Sequence, residues 1–389
     1  MQKYQIIFHI DLNAFFASCE IALNPTLKHQ PIGIGGASGR GVLTTANYEA
    51  RKYGVSSAMS VGEARRLCPQ LKLLPVNFPL YEEKSAQFFD YLRSYTHQIE
   101  PASIDEGYVD MTDYCQGKDA IEVASKIQKD LEETYQLPCS IGIAPNMFLA
   151  KMASDMKKPM GITVLRKRDV QEKLWPLKIE SMHGIGRKTV PNLKLLGIHT
   201  IGDLANYQNH HKLSKFLGNS TVSFVAKAHG QDDRVIDPSR QEKHQSIGNS
   251  KTYDGYLHEY TECIEALESL TEKVVKRLMD ADLKAKTLTV QVRNHQFEQR
   301  SKAFSFPYHT QDYDAFILEV ERLFDALYDE QPVHLLGVSA SHLEKTERLF
   351  KQLDIFKEKL SPKKDQAVDD LLEQINKHYP KALLKKGLK

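Results

Sequence analysis

The chain has 389 residues, of which 41% are hydrophobic and 26% are charged, a composition typical of a globular protein with roughly two to four domains. No apolar run approaches the roughly 20 residues that span a bilayer, so we expect neither a membrane protein nor a secreted one. The five cysteines are scattered, without Cys-x-x-Cys spacing, which argues against disulfides, structural zinc and redox motifs. A cytoplasmic protein fits best.

The net charge is only +2, but basic residues concentrate in the middle of the chain. Residues 166–235 carry 12 basic and 6 acidic groups, and residues 284–302 carry five basic groups and one acidic group. We expect the second stretch to form a basic sheet face against an acidic helix over 259–282. Such patches suit the phosphate backbone of a nucleic acid, and a solvated charged surface is the alternative.

In chain order, the first candidate functional residue is Asp11, which ends the β-rich apolar run 4–11. A carboxylate at the end of a buried strand is costly unless it is paired or binds a metal. Helical spacing then predicts a helix from Phe15 to Leu23, which ends before the turn signal Asn24-Pro25.

Two short strands are predicted at 31–34 and 42–45, and a helix follows with Thr45 as its candidate N-cap. Tyr48 and Arg51 lie three residues apart on one face of that helix. A guanidinium beside a phenol at a helix start suits triphosphate oxygens. An exposed Tyr and Arg without a chemical role is the alternative.

Adjacent carboxylates, Asp105 and Glu106, stand between two predicted amphipathic helices at 80–98 and 119–135. We predict one strand from residue 99 to 103, another from 108 to 111, and between them a tight turn that Gly107 permits. Such a turn would let both carboxylates reach one cation, and with Asp11 they would form an oxygen set that suits Mg²⁺. Two such ions about 3.5 to 4 Å apart clamp an in-line phosphoryl displacement. A solvated hairpin turn is the alternative for the pair alone.

A strand and turn at 139–146 precede a helix predicted from Met147 to Met156. Lys158 follows that helix, where its ammonium could reach a phosphate or complement the helix dipole.

In the basic segment, residues 182–188 hold a Gly-Ile-Gly turn, with Gly184 and Gly186, that resembles a helix-hairpin-helix. The backbone N–H groups of such a turn contact a DNA phosphate, and Lys188 adds charge without reading sequence. Pro191 falls inside the expected second helix and weakens this interpretation. An ordinary helix cap is the alternative.

From Gln241 the pattern is strand, helix, strand, strand, helix, strand, which predicts a four-stranded sheet covered by two helices. The helices are predicted at 259–281 and 316–327. Arg293 lies on one of the strands and is a candidate DNA contact.

Four motifs together resemble a Y-family translesion DNA polymerase of the bacterial DNA polymerase IV type. They are IDLNAFFASCE from Ile10, TTANYEARKYGV from Thr44, ASIDEGYVDMT from Ala102 and GIAPNMFLAKMASDMKKPMGI from Gly142. The similarity runs to about residue 345. Met147 and Met160 stand where the family usually has Lys and Asn or Asp, which puts contacts with the substrate strands in doubt.

The resemblance implies an α/β multidomain fold: a right-hand polymerase with palm, fingers and helical thumb, plus a four-stranded α+β little-finger domain. The implied limits are 1–10 and 78–165 for the palm, 11–77 for the fingers, 166–235 for the thumb with its helix-hairpin-helix, 236–242 for a linker, 243–345 for the little finger and 346–389 for a tail.

The activity implied is that of a DNA-directed DNA polymerase that carries out error-prone translesion synthesis in DNA repair and replication. It would transfer a nucleotide from a dNTP to a primer 3′-hydroxyl, with low processivity and no proofreading. The implied catalytic residues are Asp11, Asp105 and Glu106, which with the carbonyl of Leu12 would hold two Mg²⁺ ions.

Further site residues are carried over from the matching motifs. Those implied to bind the dNTP are Thr45, Tyr48, Arg51 and Lys158. Phe16 is implied to be a steric gate against ribonucleotides, although Phe15 and Phe16 could both be core residues. Those implied to contact DNA are Gly184, Gly186, Lys188 and Arg293.

The tail contains a pentapeptide that resembles the bacterial sliding-clamp motif. Its residues are Gln352, Leu353, Asp354, Ile355 and Phe356. Docking onto the clamp, the β subunit, is the implied role, and an amphipathic cap on the little finger is the alternative. The expected partners are thus primer-template DNA, dNTP and the clamp, with no membrane, and the chain is expected to act as a monomer.

Two other function classes remain open. A catalytically silent, clamp-tethered DNA-binding scaffold could keep the fold, but the intact set of carboxylates and phosphate-binding residues argues against it. A palm-type nucleotidyl cyclase would share the carboxylates, but it leaves the basic segments without a purpose. Primer extension compared with cyclic nucleotide formation separates the three.

Overall fold

A computed structural model describes residues 5–36, 41–240 and 243–346. The chain forms two compact units that divide between Lys243 and His244. The predicted clamp motif at 352–356 lies outside the described residues. In the described part of the chain, no helix is both long and apolar enough to cross a bilayer.

The first unit contains eight described strands and ten α-helices, and the second contains four described strands and two α-helices. The strands are β1 (Ile7–Leu12), β2 (Ile32–Gly35), β3 (Leu43–Ala46), β4 (Lys72–Leu74), β5 (Ile99–Pro101), β6 (Glu106–Asp110), β7 (Cys139–Ala144), β8 (Ile162–Val164), β9 (Ser246–Leu257), β10 (Leu283–Asn294), β11 (Gln299–Thr310) and β12 (Val333–Lys345). The α-helices are α1 (Phe15–Leu23), α2 (Tyr48–Arg51), α3 (Val61–Leu67), α4 (Phe78–Arg93), α5 (Ala120–Tyr135), α6 (Met147–Met156), α7 (Val190–Leu195), α8 (Ile201–Ala205), α9 (His210–Leu217), α10 (Thr221–Ala228), α11 (Tyr260–Asp280) and α12 (Tyr313–Asp325).

A five-stranded sheet organises the first unit, in the order β5-β6-β1-β7-β8. Strand β1 is central and pairs antiparallel with both β6 and β7. Its side chains alternate, so Phe8 and Ile10 pack in one core cluster with α4 and α5. Ile7 packs in a second cluster on the other face, with α6 and the helical segment that follows. His9 and Asp11 therefore point to the α6 face.

Helix α6 lies unusually close to strand β7, because Gly142 has no side chain. A Cβ built on Gly142 would lie 2.0 Å from the carbonyl oxygen of Ala150 and 2.4 Å from the backbone nitrogen of Ser154. This close approach brings the polar side of α6 next to the end of β1.

A smaller three-stranded sheet, β3-β2-β4, packs its own apolar cluster with α3. The segment 190–228 that follows the central sheet is helical, as the resemblance led us to expect. Pro191 lies in the first turn of α7, where the missing N–H is tolerated. Pro191 therefore falls inside the helix, as expected, but at a position where it does not weaken the helix-hairpin-helix interpretation.

The second unit is a four-stranded antiparallel sheet in the order β11-β10-β12-β9, with α11 and α12 packed on one face. The predicted order of strands and helices is confirmed. Two of the five basic residues expected on a basic sheet face do not lie on the open face of the sheet. Arg300 and Lys302 stand opposite Val292 and Val290, which are buried beneath the helices, so these two basic residues are on the helix-side face.

Small polar residues dominate the open face instead. Thr287, Thr289, Gln291 and Arg293 of β10 stand opposite Ser341, Ser339, Gly337 and Leu335 of β12.

Candidate active site

Two carboxylates lie side by side on neighbouring strands of the central sheet. Asp11 stands directly opposite Glu106 in the antiparallel pair β1 and β6. Side chains in such a pair share one face of the sheet, with Cβ atoms about 4.5–5.5 Å apart. The strand pairing therefore brings together two residues that are far apart in sequence.

Asp105 ends the turn that leads into β6. The turn is closed by hydrogen bonds from the backbone N–H groups of Ala102 (2.9 Å) and Ser103 (3.1 Å) to the carbonyl oxygen of Glu106. The Ser103 hydroxyl donates to Asp105 Oδ1 (2.5 Å). The Leu12 N–H donates to the Asp105 carbonyl (2.9 Å), which ties the turn to the end of β1.

We had predicted that Gly107 permits this turn. In the structure Gly107 instead lies within β6, opposite Ile10. A Cβ at Gly107 would lie 2.9 Å from a ring carbon of Phe89. The glycine is thus needed for close packing of α4 against the sheet.

Two lysines from the α6 segment pair with the carboxylates. Lys151 Nζ lies 2.6 Å from Glu106 Oε2, 3.1 Å from Asp11 Oδ2 and 3.4 Å from Asp155 Oδ2. Lys158 Nζ lies 2.7 Å from Asp11 Oδ2 and 2.8 Å from Asp155 Oδ1. Our sequence reasoning selected Lys158 but missed Lys151 and Asp155.

His9 is a further residue that the sequence did not single out. It is fully buried on the same face as Asp11, with Nδ1 2.8 Å from Ser154 Oγ and Nε2 3.5 Å from Glu106 Oε2. Ligand atoms of His9, Asp11 and Glu106 lie within 4.8 Å of one another. Burial lowers the pKa of His9, while its contact with the Glu106 carboxylate opposes this shift.

The pKa values of Glu106 and Asp105 shift in opposite directions because the two carboxylates have different partners. Burial raises the pKa of Glu106, but the contact with His9 and the charge and hydrogen bond of Lys151 together outweigh burial and hold that pKa well below its usual range. Burial raises the pKa of Asp105, the hydrogen bond from Ser103 opposes this, and the charges of Asp11 and Glu106 raise it again. Among the described residues no lysine or arginine pairs with Asp105.

Helix α2 supplies a basic and aromatic wall. Arg51 Nε donates to the carbonyl oxygen of Ala46 (2.9 Å), and its guanidinium lies 4.6 Å from the centre of the Tyr48 ring. The N-cap of α2 is Asn47, whose side chain accepts from the Ala50 N–H (3.0 Å). Our prediction of Thr45 as the cap was wrong, because β3 continues through Ala46 and places Thr45 within the strand.

Phe15 and Phe16, adjacent at the start of α1, have different environments. Phe15 is buried, with 2% of its surface exposed. Phe16 is half-buried and stacks on Tyr81, with ring centres 4.2 Å apart. Phe15 is thus a core residue, whereas Phe16 is only partly buried against the same core.

A single cavity of about 220 Å³ connects these groups. Its lining includes Asp11, Leu12, Phe16, Thr45, Tyr48, Arg51, Asp105 and Lys158. The predicted nucleotide and gate residues thus meet in one pocket with Asp11, Leu12 and Asp105. Glu106, the remaining predicted metal residue, does not line the cavity but stands opposite Asp11 in the strand pair. Met147, one of the two departures from the family pattern, is buried at 1% exposure, and the Met160 N–H donates to Asn13 Oδ1 (2.8 Å).

The candidate DNA contacts lie outside this cavity. Gly184 has a positive φ of 93° and begins an exposed turn in which Gly186 and Lys188 are also exposed, while Ile185 is buried at 8%. Arg293 is half-buried on the open face of the second unit, and its Nη2 donates to Gln299 Oε1 (2.5 Å).

Comparison with known proteins gives a consistent result along the chain. Residues 10–155 match the model of the impB/mucB/samB family, residues 244–355 match the C-terminal domain of that family, and residues 167–198 match the HHH motif of the IMS family. DNA polymerase IV 1 of Bacillus subtilis (strain 168) is 41% identical over 387 residues, which cover 99% of this chain and 93% of that relative. The chain belongs to the impB/mucB/samB family, the Y-family DNA polymerases.

Other relatives agree with this Y-family membership. DNA polymerase IV of Streptococcus agalactiae serotype Ia is 38% identical over 344 residues, which cover 87% of this chain and 94% of that relative. A solved Y-family DNA polymerase chimera of Dbh and Dpo4 is 28% identical with a TM-score of 0.79, and the match covers 87% of this chain and 99% of that one. An insertion ternary complex of Dbh DNA polymerase has a TM-score of 0.61 at 28% identity, covering 86% and 98% of the two chains.

This Y-family chain therefore has the α/β multidomain, right-hand polymerase fold, with a four-stranded α+β little finger as its second unit. The fold class expected from the sequence is confirmed.

Proposed function

We propose that the chain carries out error-prone translesion DNA synthesis by two-metal nucleotidyl transfer from a dNTP to a primer 3′-hydroxyl, with low processivity and no proofreading. The coarser part of this statement follows from its family: the chain is a DNA-directed DNA polymerase that copies a template and acts in DNA damage and repair. The proposal retains the sequence-based limits of palm, fingers, thumb and little finger.

The observation that carries the finer proposal is the convergence of Asp11, Asp105 and Glu106 at one end of β1 and β6, next to a cavity with a basic wall. Carboxylate oxygens are the ligands that Mg²⁺ prefers. The ammonium groups of Lys151 and Lys158 pair with Glu106 and Asp11, which indicates that the site favours positively charged ligands. The donor set therefore fits divalent cations.

In this proposal Asp11, Asp105, Glu106 and the carbonyl of Leu12 hold two Mg²⁺ ions. When bound, the ions supply activation of the primer hydroxyl and charge stabilisation of the leaving pyrophosphate. The protein holds these ligands in position. The strand pair places Asp11 opposite Glu106, and the hydrogen bond from the Leu12 N–H keeps the Asp105 turn at the end of β1.

The triphosphate of the dNTP is assigned to Tyr48, Arg51, Lys158 and Thr45. All four line the cavity beside the carboxylates. The hydrogen bond to Ala46 and the stacking on Tyr48 fix Arg51 near that wall, so little side-chain freedom remains to be lost on binding. Lys158 is assigned to the phosphates because it is more exposed than Lys151, with 23% of its side chain accessible.

Phe16 is assigned as the steric gate, because its ring borders the cavity and its stacking on Tyr81 holds it in place. A ring beneath the sugar leaves no room and no hydrogen bond for a 2′-hydroxyl. Low fidelity is supported by small side chains over the pocket: Thr44 and Ser57 line it, so selectivity would rest mainly on base pairing.

Gly184, Gly186 and Lys188 are assigned to a DNA phosphate, and Arg293 to the DNA backbone, since phosphate contacts hold a duplex without reading sequence. Weak contacts of this kind fit low processivity. The pentapeptide at 352–356 is assigned to the sliding clamp, and the protein is proposed to act as a cytoplasmic monomer.

Primer extension on a primed template tests the function, with formation of cyclic nucleotide as the parallel measurement. We expect extension by the wild type and no cyclic product. Asp105→Ala should abolish nucleotide addition while duplex binding, measured by fluorescence anisotropy, survives. Duplex binding without extension by the wild type would favour the silent scaffold, and extension by Asp105→Ala would refute the metal assignment.

A further inference from the structure

Lys151 places its ammonium between the two facing carboxylates. Nζ contacts Glu106 Oε2 at 2.6 Å and Asp11 Oδ2 at 3.1 Å, and it also reaches Asp155 Oδ2 at 3.4 Å. Only 10% of the Lys151 side chain is exposed. Because water is largely excluded, these contacts differ from a screened surface ion pair, which contributes little.

The carboxylates need such a charge in the absence of a metal. Asp11 and Glu106 stand directly opposite each other, and like charges in that position repel. A bridging ammonium turns this repulsion into two attractions.

The two lysines near Asp11 are not equivalent. Lys158 lines the cavity and is 23% exposed, so it can turn toward a phosphate. Lys151 is not among the residues that line the cavity, and it stays behind the carboxylates because α6 packs tightly on β7 at Gly142. Its charge therefore remains next to Asp11 and Glu106 whatever occupies the pocket.

We propose that Lys151 is a positioning residue, an internal counter-cation that holds Asp11 and Glu106 in place before a divalent cation binds and weakens the binding of that cation to the free enzyme. This rests on the proposed function only in taking these carboxylates as the metal ligands. A fixed positive charge in contact with both ligands repels an incoming dication. The cation is then held firmly only once the negative charge of a triphosphate is added.

The test is direct titration of the full chain with Mn²⁺, followed by electron paramagnetic resonance, without DNA or nucleotide. Lys151→Met should bind Mn²⁺ roughly tenfold more tightly than the wild type, or more, because a full charge is removed at contact distance. Its melting temperature in EDTA should be lower than that of the wild type and should rise more on addition of Mn²⁺. Lys151→Arg, which keeps the charge, should retain the wild-type affinity.

Control variants test whether the change in Mn²⁺ affinity comes from the contact of Lys151 with the carboxylates. Lys173→Met removes a lysine that pairs with Asp169 at 3.5 Å, away from these carboxylates, and should leave Mn²⁺ affinity unchanged. Glu106→Gln added to Lys151→Met should remove the gain. If Lys151→Met does not fold, Lys151→Gln, which keeps a hydrogen-bond donor, replaces it in the same titration.

A folded, uncharged variant that binds Mn²⁺ no more tightly than the wild type would overturn the proposal, as would equal behaviour of the Arg and Met variants. Primer extension by the wild type tests the function separately, since the Mn²⁺ titration requires no polymerisation. Tighter Mn²⁺ binding by Lys151→Met would therefore support the inference even if the wild type extended no primer.

Discussion

At the residue scale, Arg51 is held in position by the protein itself. Its Nε donates to the Ala46 carbonyl at 2.9 Å, and its guanidinium covers the Tyr48 ring. A charge-assisted contact with a phosphate contributes about 1.5–3 kcal/mol. We therefore expect Arg51→Ala to lower kcat/KM for a single dNTP by roughly tenfold or more, measured by steady-state incorporation. Arg51→Lys should be intermediate because it lacks the planar fork.

Arg66 provides the matched control. It lies on α3, its side chain is 75% exposed, and it pairs only loosely with Glu63 at 3.9 Å. Arg66→Ala should leave kcat/KM unchanged. Equal values for Arg51→Ala and the wild type would mean that Arg51 is an ordinary surface residue.

Phe16 is predicted to exclude the ribonucleotide 2′-hydroxyl. Phe16→Ala should raise incorporation of ribonucleotides relative to deoxyribonucleotides by roughly tenfold or more, since small changes of fit in an apolar pocket have effects of that size. Competition between matched rNTP and dNTP in primer extension measures the ratio. Tyr81→Phe, which keeps the stacked ring but loses the hydrogen bond to Glu20 (2.8 Å), should leave the ratio unchanged. An unaltered ratio in Phe16→Ala would place the gate elsewhere.

At the scale of elements, the contact between α6 and β7 determines the shape of the site. A Cβ at Gly142 would lie 2.0 Å from a backbone oxygen of α6, so the helix must move away. Gly142→Ala should lower the free energy of unfolding by about 3 kcal/mol or more, measured by urea denaturation. Gly62→Ala on α3, where a Cβ meets nothing within 4 Å, should be neutral or slightly stabilising. Similar stability of the two variants would contradict this account of α6.

Local patterns predicted the elements well where a single periodicity governs them. The helices α1 and α6 begin and end at the predicted residues, because apolar spacing and a polar stop coincide. The α2 cap and the hairpin turn were mispredicted for a shared reason. Thr45 and Gly107 suit caps and turns in general, but here pairing with neighbouring strands keeps both within β-strands.

The sequence predicted the carboxylates of the site but not the lysine that contacts them. Asp11, Asp105 and Glu106 stand out because charges interrupt apolar strands. Lys151 is a charge on a helix whose other residues from Met147 to Ala153 are apolar and buried, and that isolation was the signal that could have revealed it. Its partners lie 140 and 45 positions away in the chain, so only the packing of α6 on the sheet identifies them.

At the scale of the whole molecule, the proposed low processivity agrees with the composition of the open face of the second unit. The open face of the second unit presents mainly threonine, serine and glycine, and such small polar groups contribute little electrostatic attraction to DNA. Extended synthesis would therefore need attachment to a partner that stays on the duplex. The sequence offers one segment for this purpose, outside the described residues.

That segment is the pentapeptide 352–356, which combines Gln352 with three apolar residues in a polar, Lys-rich tail. A tether to the sliding clamp would raise the local concentration of enzyme at the primer end without altering the chemistry. Replacing both Leu353 and Phe356 by Ala should therefore leave single-nucleotide addition unchanged and abolish stimulation by the clamp. The measurement is the length of primer extension products with and without the β subunit loaded on DNA.

The same tail supplies the control for this experiment. Leu371 and Leu372 lie in the tail but outside the pentapeptide, and replacing both by Ala removes a similar apolar area. Because clamp grooves bind an extended motif through a few anchoring side chains, this variant should respond to the clamp as the wild type does. Loss of stimulation in both variants would indicate a general effect of the tail. Full stimulation of the Leu353 and Phe356 variant would leave the pentapeptide as an apolar cap on the little finger, the alternative that its sequence allows.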